Sequence, residues 1–299
     1  GNARAYLDEA ISRGMNVDDF APRIAFNFSV FNNVLEEVAK FRAARRIWAR
    51  LLKEHYNAKN PRSLTFRTGA GSGGSTLVAQ QPENNVVRVT LHTIIAAMAG
   101  VQSMHTASMD EAHALPSEEA ATLALRTQQI VAYESGLADV IDPLGGSYYI
   151  ENLTDQIEEQ VDVYMKLIDE RGGMVAAIES GWVVQEIAES AYRFQRDVEQ
   201  GDRVVVGLNR FTTDEIPPIE LHRPDPSVAK AVITEVETLR KERDSVKLAR
   251  TLDNVKAVAS EGGNLMPSTL EAIRSWATVG EISETLREVF GEWQAPNIT

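Results

Sequence analysis

The glycine-rich segment GAGSGGS, residues 69–75, is the part of this sequence whose composition most directly suggests ligand chemistry. Glycine lets backbone N–H groups approach an anion closely, so such a loop can hold a phosphate. The segment lacks the Lys-Ser/Thr pair of a nucleoside-triphosphate loop, and its glycine spacing does not match a dinucleotide-binding fingerprint. Two interpretations stay open: close approach of the backbone to a bulky ligand, and a mobile loop without a ligand.

Histidine is the second chemical candidate, because an imidazole titrates near neutral pH and can act as acid, base or metal ligand. His105 follows a short apolar run in QSMHT, where it serves either chemistry or packing. No His-Glu-x-x-His pattern indicates a metal site. The absence of cysteine excludes thiolate zinc sites and a cysteine nucleophile, and there is no Gly-x-Ser-x-Gly elbow of a hydrolase.

Two further polar groups have simple structural interpretations. Asp142 precedes Pro143 and is expected to form a turn. Arg42, Arg45 and Arg46 share one predicted helix and are expected to form a solvated face.

Charge and hydropathy restrict the classes of partner. The chain has 30 basic and 43 acidic residues, a net charge of −13, and no basic stripe, which argues against nucleic-acid binding. No apolar run reaches the roughly 18 residues of a membrane span. The start, GNARAYLDEAISRG, is an uncapped amphipathic helix and not a signal peptide, so we expect a piece of a longer cytoplasmic protein.

Short apolar runs alternate with helical patterns in the first half of the chain. Such alternation predicts an α/β fold with a parallel sheet buried on both faces, whose chemistry lies at the carboxyl ends of the strands. The predicted strands are 22–31, 63–68, 101–106 and 138–143. The predicted helices between and after the first three begin near residue 32 and span 83–99 and 116–136.

The sequence after residue 151 is mostly helical. Helices are predicted at 153–171, 173–181, 183–199, 226–242, 244–260 and 267–290, with one isolated strand at 203–209. The proline-rich run 215–226 is expected to be a stiff, extended connector. Four strand–helix units are too few for an eight-stranded barrel, which needs about 250 residues.

Longer blocks of the sequence carry a further signal through their composition and order. In the first half they are NVDDFAPRIAFNFSVFNN, FRAARRIWARLL, LVAQQPENNVVR, QSMHTASMDEAHALPSEEAATLALRTQQIVAYESG and VIDPLGGSYYIE. In the helical tail they are GDRVVVGLNRF and PSTLEAIRSWATVGEISETLREVFG. In this order, the blocks resemble the methylmalonyl-CoA mutase family over essentially the whole chain.

This resemblance implies a radical rearrangement of an acyl-CoA with adenosylcobalamin. Residues 1–152 would be the C-terminal half, about strands five to eight, of a (β/α)8 TIM barrel, and residues 153–299 a helical linker or belt. CoA would thread along the barrel axis, with cobalamin over the carboxyl ends of the strands. Arg23, residues 69–74 and Gln102 would line the mouth of the barrel at those ends. The expected partners are the N-terminal barrel half or a second large subunit, and a cobalamin-binding small subunit or domain that carries the lower axial histidine.

The resemblance also assigns site residues. Arg23 matches a CoA-contacting arginine, Gln102 matches a glutamine near the adenosyl group, and Ser135 matches a region that meets CoA. His105 belongs to the cofactor-side strand end, where it can instead serve packing. No catalytic residue and no metal ligand is assigned in this chain.

The glycine segment departs from the family pattern R-x-H-x-Q-T-x-G. Gly69 and Gly71 replace a histidine and a glutamine, Ala107 replaces an asparagine, and Ala25 replaces a serine near CoA. Bare backbone at Gly69 and Gly71 would widen the substrate pocket for another acyl group. Alternatively, the lost side chains mark a non-catalytic, structural subunit of such a mutase.

Overall fold

The computed structural model describes residues 1–214 and 221–296 and divides the chain into two compact units, residues 1–222 and Arg223–Pro296. The predicted boundary near residue 152 falls inside the helix Tyr148–Glu170 and stays a prediction. Within the proline-rich run, residues 215–220 lie outside the described residues. Among the described helices, none combines the length and apolar composition that a bilayer-spanning segment requires.

A three-stranded parallel sheet forms the centre of the first unit, with β2 between β1 and β3. The strands are β1 (Phe26–Val30), β2 (Thr68–Ser72) and β3 (Ser103–His105). Phe26 lies opposite Thr68 and Val30 opposite Ser72, while Gly71 lies opposite His105. The predicted α/β architecture with a parallel sheet is therefore confirmed. The predicted burial of both faces is wrong for the described strands, because Asn27, Ser29 and His105 are exposed.

Helices connect successive strands, as parallel pairing requires. The helices of this unit are α1 (Asn2–Ser12), α2 (Val17–Phe20), α3 (Val34–Arg50), α4 (Asn84–Ala99), α5 (Glu118–Glu134), α6 (Tyr148–Glu170), α7 (Met174–Glu179) and α8 (Trp182–Gln200). Ser117 caps α5 by accepting a hydrogen bond from the Ala120 N–H, and Gly136 follows with a left-handed φ of 72°. The capped helix predicted at 116–136 is confirmed.

The second strand lies further along the chain than predicted. Residues Pro61–Leu64 form a 3-10 helix instead of the start of a strand. Asp18 holds this region by accepting hydrogen bonds from the backbone N–H of Lys59 and the hydroxyl of Ser63, at 2.8 and 2.7 Å. The strand therefore begins only at Thr68 and includes the first glycines, so the segment 69–75 is partly the strand itself and not only its end.

The predicted fourth strand at 138–143 is wrong for the described chain. Leu137–Asp139 form a 3-10 helix, and Asp142 has a left-handed φ of 50°. A strand needs a neighbour for its N–H and C=O groups, and none pairs with this segment. Ile141 is accordingly 98% exposed.

The isolated strand predicted at 203–209 is also wrong. The segment contains a turn in which Gly207 has φ of 81°, and only a single bridge joins Val206 to Arg210. Three consecutive valines at 204–206 are present, but the turn reverses the chain before a ladder can form.

Apolar side chains between the sheet and the helices form the core of this unit. Phe26 stacks on Phe66 at 4.4 Å between ring centroids and meets the Trp48 ring edge-on at 5.1 Å. Phe41 and Val30 are fully buried in the adjoining cluster. Such aromatic packing contributes both buried area and specific geometry.

A row of arginines on α3 faces a row of carboxylates on α6, so the prediction of a solvated arginine face is wrong. The paired residues are Arg42 with Asp142 and Glu151, Arg46 with Asp155 and Glu158, and Arg50 with Glu158 and Asp162. Arg45 instead donates to the carbonyl of Ala99 at 2.5 Å. Donation from the Gly146 N–H, and then from Arg42, lowers the pKa of Glu151.

The second unit is helical, and its helices are α9 (Pro226–Glu242), α10 (Ser245–Ser260), α11 (Leu265–Arg274) and α12 (Val279–Phe290). The predicted helix 267–290 is two helices, because Trp276 adopts φ of 63° and Thr278 starts a capping box with Glu281. Arg243 pairs with Glu281 and, by hydrogen bonding, lowers the pKa of that carboxyl to about 2.

Candidate functional site

The two faces of the sheet differ in chemistry. Phe26, Phe28 and Val30 pack toward the helices, whereas Asn27 and Ser29 alternate with them and are exposed on the opposite face. We call this opposite face the open face. Its described strand residues are Asn27, Ser29, Gly69, Gly71, Ser103 and His105, as the strand register requires.

The two glycines of the central strand have different surroundings on the open face. A Cβ at Gly69 would lie 2.8 Å from Ser103 Oγ and 3.2 Å from Asn27 Oδ1. A Cβ at Gly71 would have no atom within 4 Å. The neighbours therefore close over Gly69, while Gly71 leaves a gap the size of a side chain.

His105 lies at the carboxyl end of β3, and its side chain is 72% exposed. Its Nε2 is 3.9 Å from Glu111 Oε1, a carboxylate oxygen that also accepts the N–H of Ser108 at 2.7 Å. Ala107 is buried and donates its N–H to Ser72 Oγ at 3.3 Å. The carboxyl ends of β2 and β3 thus present an imidazole with a carboxylate beside it.

Arg23 lies in the short 3-10 helix Ala21–Arg23, just before β1, so it is on the amino side of the sheet. The expectation that it shares a strand-end mouth with the carboxyl-end residues is wrong. Its side chain is exposed, and no hydrogen bond or ion pair to it occurs among residues 1–214 and 221–296. Arg67, directly before β2, is also exposed and donates to the carbonyl of Pro22 at 3.1 Å. The amino side therefore carries two exposed arginines, and Arg67 contacts the backbone of the residue that precedes Arg23.

Gln102 also precedes its strand, so its predicted position at a carboxyl end is wrong. Its Oε1 accepts the N–H of Thr68 at 2.7 Å, and its Nε2 donates to the carbonyl of Gly100 at 3.2 Å. Through these bonds, the side-chain amide of Gln102 continues the hydrogen-bond ladder between β2 and β3. A contact between Gln102 and the cofactor stays a prediction.

Ser135 ends α5, and because helices return the chain to the amino side of a parallel sheet, it belongs to that side. Its hydroxyl donates to the carbonyl of Val131 at 2.5 Å and accepts the N–H of Leu137 at 3.1 Å. Both bonds are local, so a CoA contact of Ser135 stays a prediction as well.

A second histidine lies behind the sheet. His92 on α4 is fully buried, with Nε2 2.8 Å from Asn32 Oδ1, and burial lowers its pKa to about 4. It is therefore neutral at physiological pH and structural in character. Over the described ranges, no group of three or more His, Asp or Glu side chains is placed to hold a metal ion.

Sequence reasoning found His105 but missed the other polar residues of the open face, Asn27, Ser29 and Ser103, and it missed Arg67. The alternation in FNFSV contained the signal, since a period of two separates Asn27 and Ser29 from the buried phenylalanines. The run was instead interpreted as apolar on both sides. For Arg67, adjacency to the start of a strand was the available signal.

The sequence model described as methylmalonyl-CoA mutase matches residues 1–292. The chain belongs to this family. The resemblance found from the sequence blocks is thereby confirmed.

Within the methylmalonyl-CoA mutase family, three relatives are similar over 98% of this chain. The 2-hydroxyisobutanoyl-CoA mutase large subunit of Aquincola tertiaricarbonis is 43% identical over 295 residues, 52% of its own length. The methylmalonyl-CoA mutases of Rhizobium meliloti and Cereibacter sphaeroides are 39% and 41% identical, over 41% and 42% of their lengths. The chain thus spans about half or less of the relatives it matches.

Proposed function

We propose that this chain is part of an adenosylcobalamin-dependent acyl-CoA mutase that rearranges the carbon skeleton of a branched acyl-CoA. The observation that carries the proposal is the family match over residues 1–292. The structure supports it with a parallel sheet whose open face is polar and whose two ends differ in charge. We further propose that the sheet is the C-terminal half of a TIM barrel, about strands five to eight.

The amino side of the sheet suits the phosphates of CoA. Arg23 and Arg67 are both exposed at this side, and guanidinium groups bind phosphate oxygens bidentately. The acyl end of the thioester would then extend along the open face past Gly69 and Gly71. Ser135 lies on the same side and is kept as a proposed CoA contact.

The carboxyl ends suit a flat cofactor, because their exposed polar groups are not covered by other described side chains. His105 is 72% exposed and Ser72 ends the central strand, so both can donate or accept hydrogen bonds. In such an enzyme the bound adenosylcobalamin supplies the radical chemistry, while the protein orients the substrate and excludes water. Gln102 precedes β3 and fixes that strand to the backbone of Thr68, and it is kept as a proposed cofactor contact.

The proposed partners follow from the same arrangement. A cobalamin-binding small subunit or domain would cover the carboxyl ends, and the missing N-terminal barrel half would pair with β1, whose outer edge is free of a described strand. An unpaired strand edge favours such pairing.

The test is reconstitution of this chain with the remaining large-subunit sequence and the cobalamin partner. We expect conversion of a branched acyl-CoA that depends on adenosylcobalamin, measured by product chromatography. Replacing both Arg23 and Arg67 by alanine should raise KM for acyl-CoA about tenfold or more with little change in kcat, because CoA phosphates act remotely from the chemistry. A drop in kcat alone would contradict their role as anchors.

The second candidate function is a non-catalytic, structural subunit of such a mutase. It is favoured by the bare backbone at Gly69 and Gly71 and by the apolar Ala107. A complex that assembles and binds adenosylcobalamin but turns over no branched acyl-CoA would establish this alternative.

A further inference from the structure

The gap at Gly71 is a feature that the general proposal does not use. Residues i and i+2 of a strand point to one face, so Gly69 and Gly71 remove two side chains from the centre of the open face. Only the second removal leaves space, because no atom lies within 4 Å of a Cβ built at Gly71. At Gly69 the neighbouring side chains already fill the position.

Hydrogen-bonding groups stand on both sides of this gap. Ser29 on β1 and His105 on β3 are the register partners of Gly71, and both are exposed. No hydrogen bond to Ser29 Oγ occurs within the part of the chain that the structure describes. His105 has only the distant carboxylate of Glu111, at 3.9 Å.

Apolar side chains are absent from the open-face strand positions in the described sheet. The next positions toward the amino side carry Asn27 and Ser103, whose oxygens approach Gly69. An apolar group bound in the gap would shield this exposed hydroxyl and imidazole from solvent without offering a hydrogen bond, which costs free energy. A group that carries oxygen would satisfy both.

We propose that Gly71, Ser29 and His105 form a specificity subsite for a polar substituent on the acyl group of the CoA thioester. The inference rests on the proposed function, because it takes the acyl thioester to lie along the open face. Gly71 provides the space, and Ser29 and His105 provide the hydrogen bonds. The subsite therefore selects acyl groups bearing a hydroxyl or carboxylate over apolar groups of equal size.

The experiment measures binding, so that it does not depend on turnover. Calorimetry on the assembled complex compares 2-hydroxyisobutanoyl-CoA with isobutanoyl-CoA, which differ by one hydroxyl. We expect the hydroxylated thioester to bind at least tenfold more tightly, since a site that bonds a hydroxyl rejects an analogue without it. Ser29→Ala should reduce that ratio at least fivefold.

Two glycine variants test the gap itself. Gly71→Val should weaken binding of the hydroxylated thioester at least tenfold by filling the space. Gly74→Val is the matched control, because Gly74 also has nothing within 4 Å of its Cβ and no positive φ, but lies beyond β2. It should bind within twofold of the unaltered complex, and circular dichroism checks the fold of both variants.

The proposal is overturned if the unaltered complex binds both thioesters equally, if neither binds, or if the Gly71 and Gly74 variants behave alike. Should Gly71→Val fail to fold, an unchanged ratio in Ser29→Ala overturns it instead. Absence of turnover with retained selective binding would contradict the proposed enzymatic function and leave the subsite supported.

Discussion

The helix-facing side and the open face of the same three strands carry different kinds of side chain. Behind the sheet, phenylalanines pack against α3; in front, small and polar residues leave the backbone accessible. One side therefore supplies stability and the other supplies room and hydrogen-bonding groups. A five-residue strand such as FNFSV serves both purposes, because successive side chains point to opposite faces of the sheet.

The largest difference in the free energy of unfolding is expected between truncating a side chain behind the sheet and truncating one on the open face. Phe41→Ala should lower the free energy of unfolding by about 3–5 kcal/mol, because the ring is fully buried. Asn27→Ala, on the open face, should change it by no more than about 0.5 kcal/mol. Urea denaturation of the full chain measures both, and equal losses would abolish the distinction between the faces.

Between pH 7 and pH 5, a pH dependence of stability should arise from His92, which lies behind the sheet. Its folded pKa of about 4 lies below its ordinary value of 6.5, so its stabilisation is complete above pH 6.5 and falls as the pH falls toward 4. The loss should reach about 2 kcal/mol at pH 5. Denaturation at pH 7 and pH 5 should show this loss, and His92→Gln should remove most of the difference. A variant with the same pH slope as the unaltered chain would contradict the assignment.

The smallest expected effect on stability is the difference between substitutions at Gly69 and at Gly71. Gly69→Ala should destabilise the chain by about 1 kcal/mol, since its Cβ would lie 2.8 Å from Ser103 Oγ. Gly71→Ala should have no such cost. Adding Ser103→Ala to the first variant should restore most of the loss, and a double variant no more stable than Gly69→Ala would show that the crowding comes from elsewhere.

The sequence allowed prediction of elements that are determined by local signals. Ser117, the following acidic turn and Gly136 determine α5 through capping and helix-ending geometry, so its bounds were predictable. The alternation of strands and helices likewise led to the parallel sheet. The expected ligands came from the family resemblance, because the hydrophobic periodicity of the sequence carries no information about ligands.

Elements that depend on distant partners could not be predicted in the same way. The segment 138–143 has the composition of a strand, but strand formation requires a neighbouring edge, and Arg42 instead pairs with Asp142. Gln102 looked like a ligand-binding amide, and only the register of β2 and β3 shows that its side chain bonds the backbone of Thr68. Side-chain partners across the fold are not encoded in local spacing.

The arginine row on α3 has a consequence for insertions and deletions. Its members recur every fourth residue. Carboxylates on successive turns of α6, from Glu151 to Asp162, form ion pairs with them. One residue inserted between Glu151 and Asp155 would rotate every later carboxylate by about 100° around the helix axis. Such an insertion would therefore separate every later pair at once, whereas a single substitution leaves the remaining pairs in register.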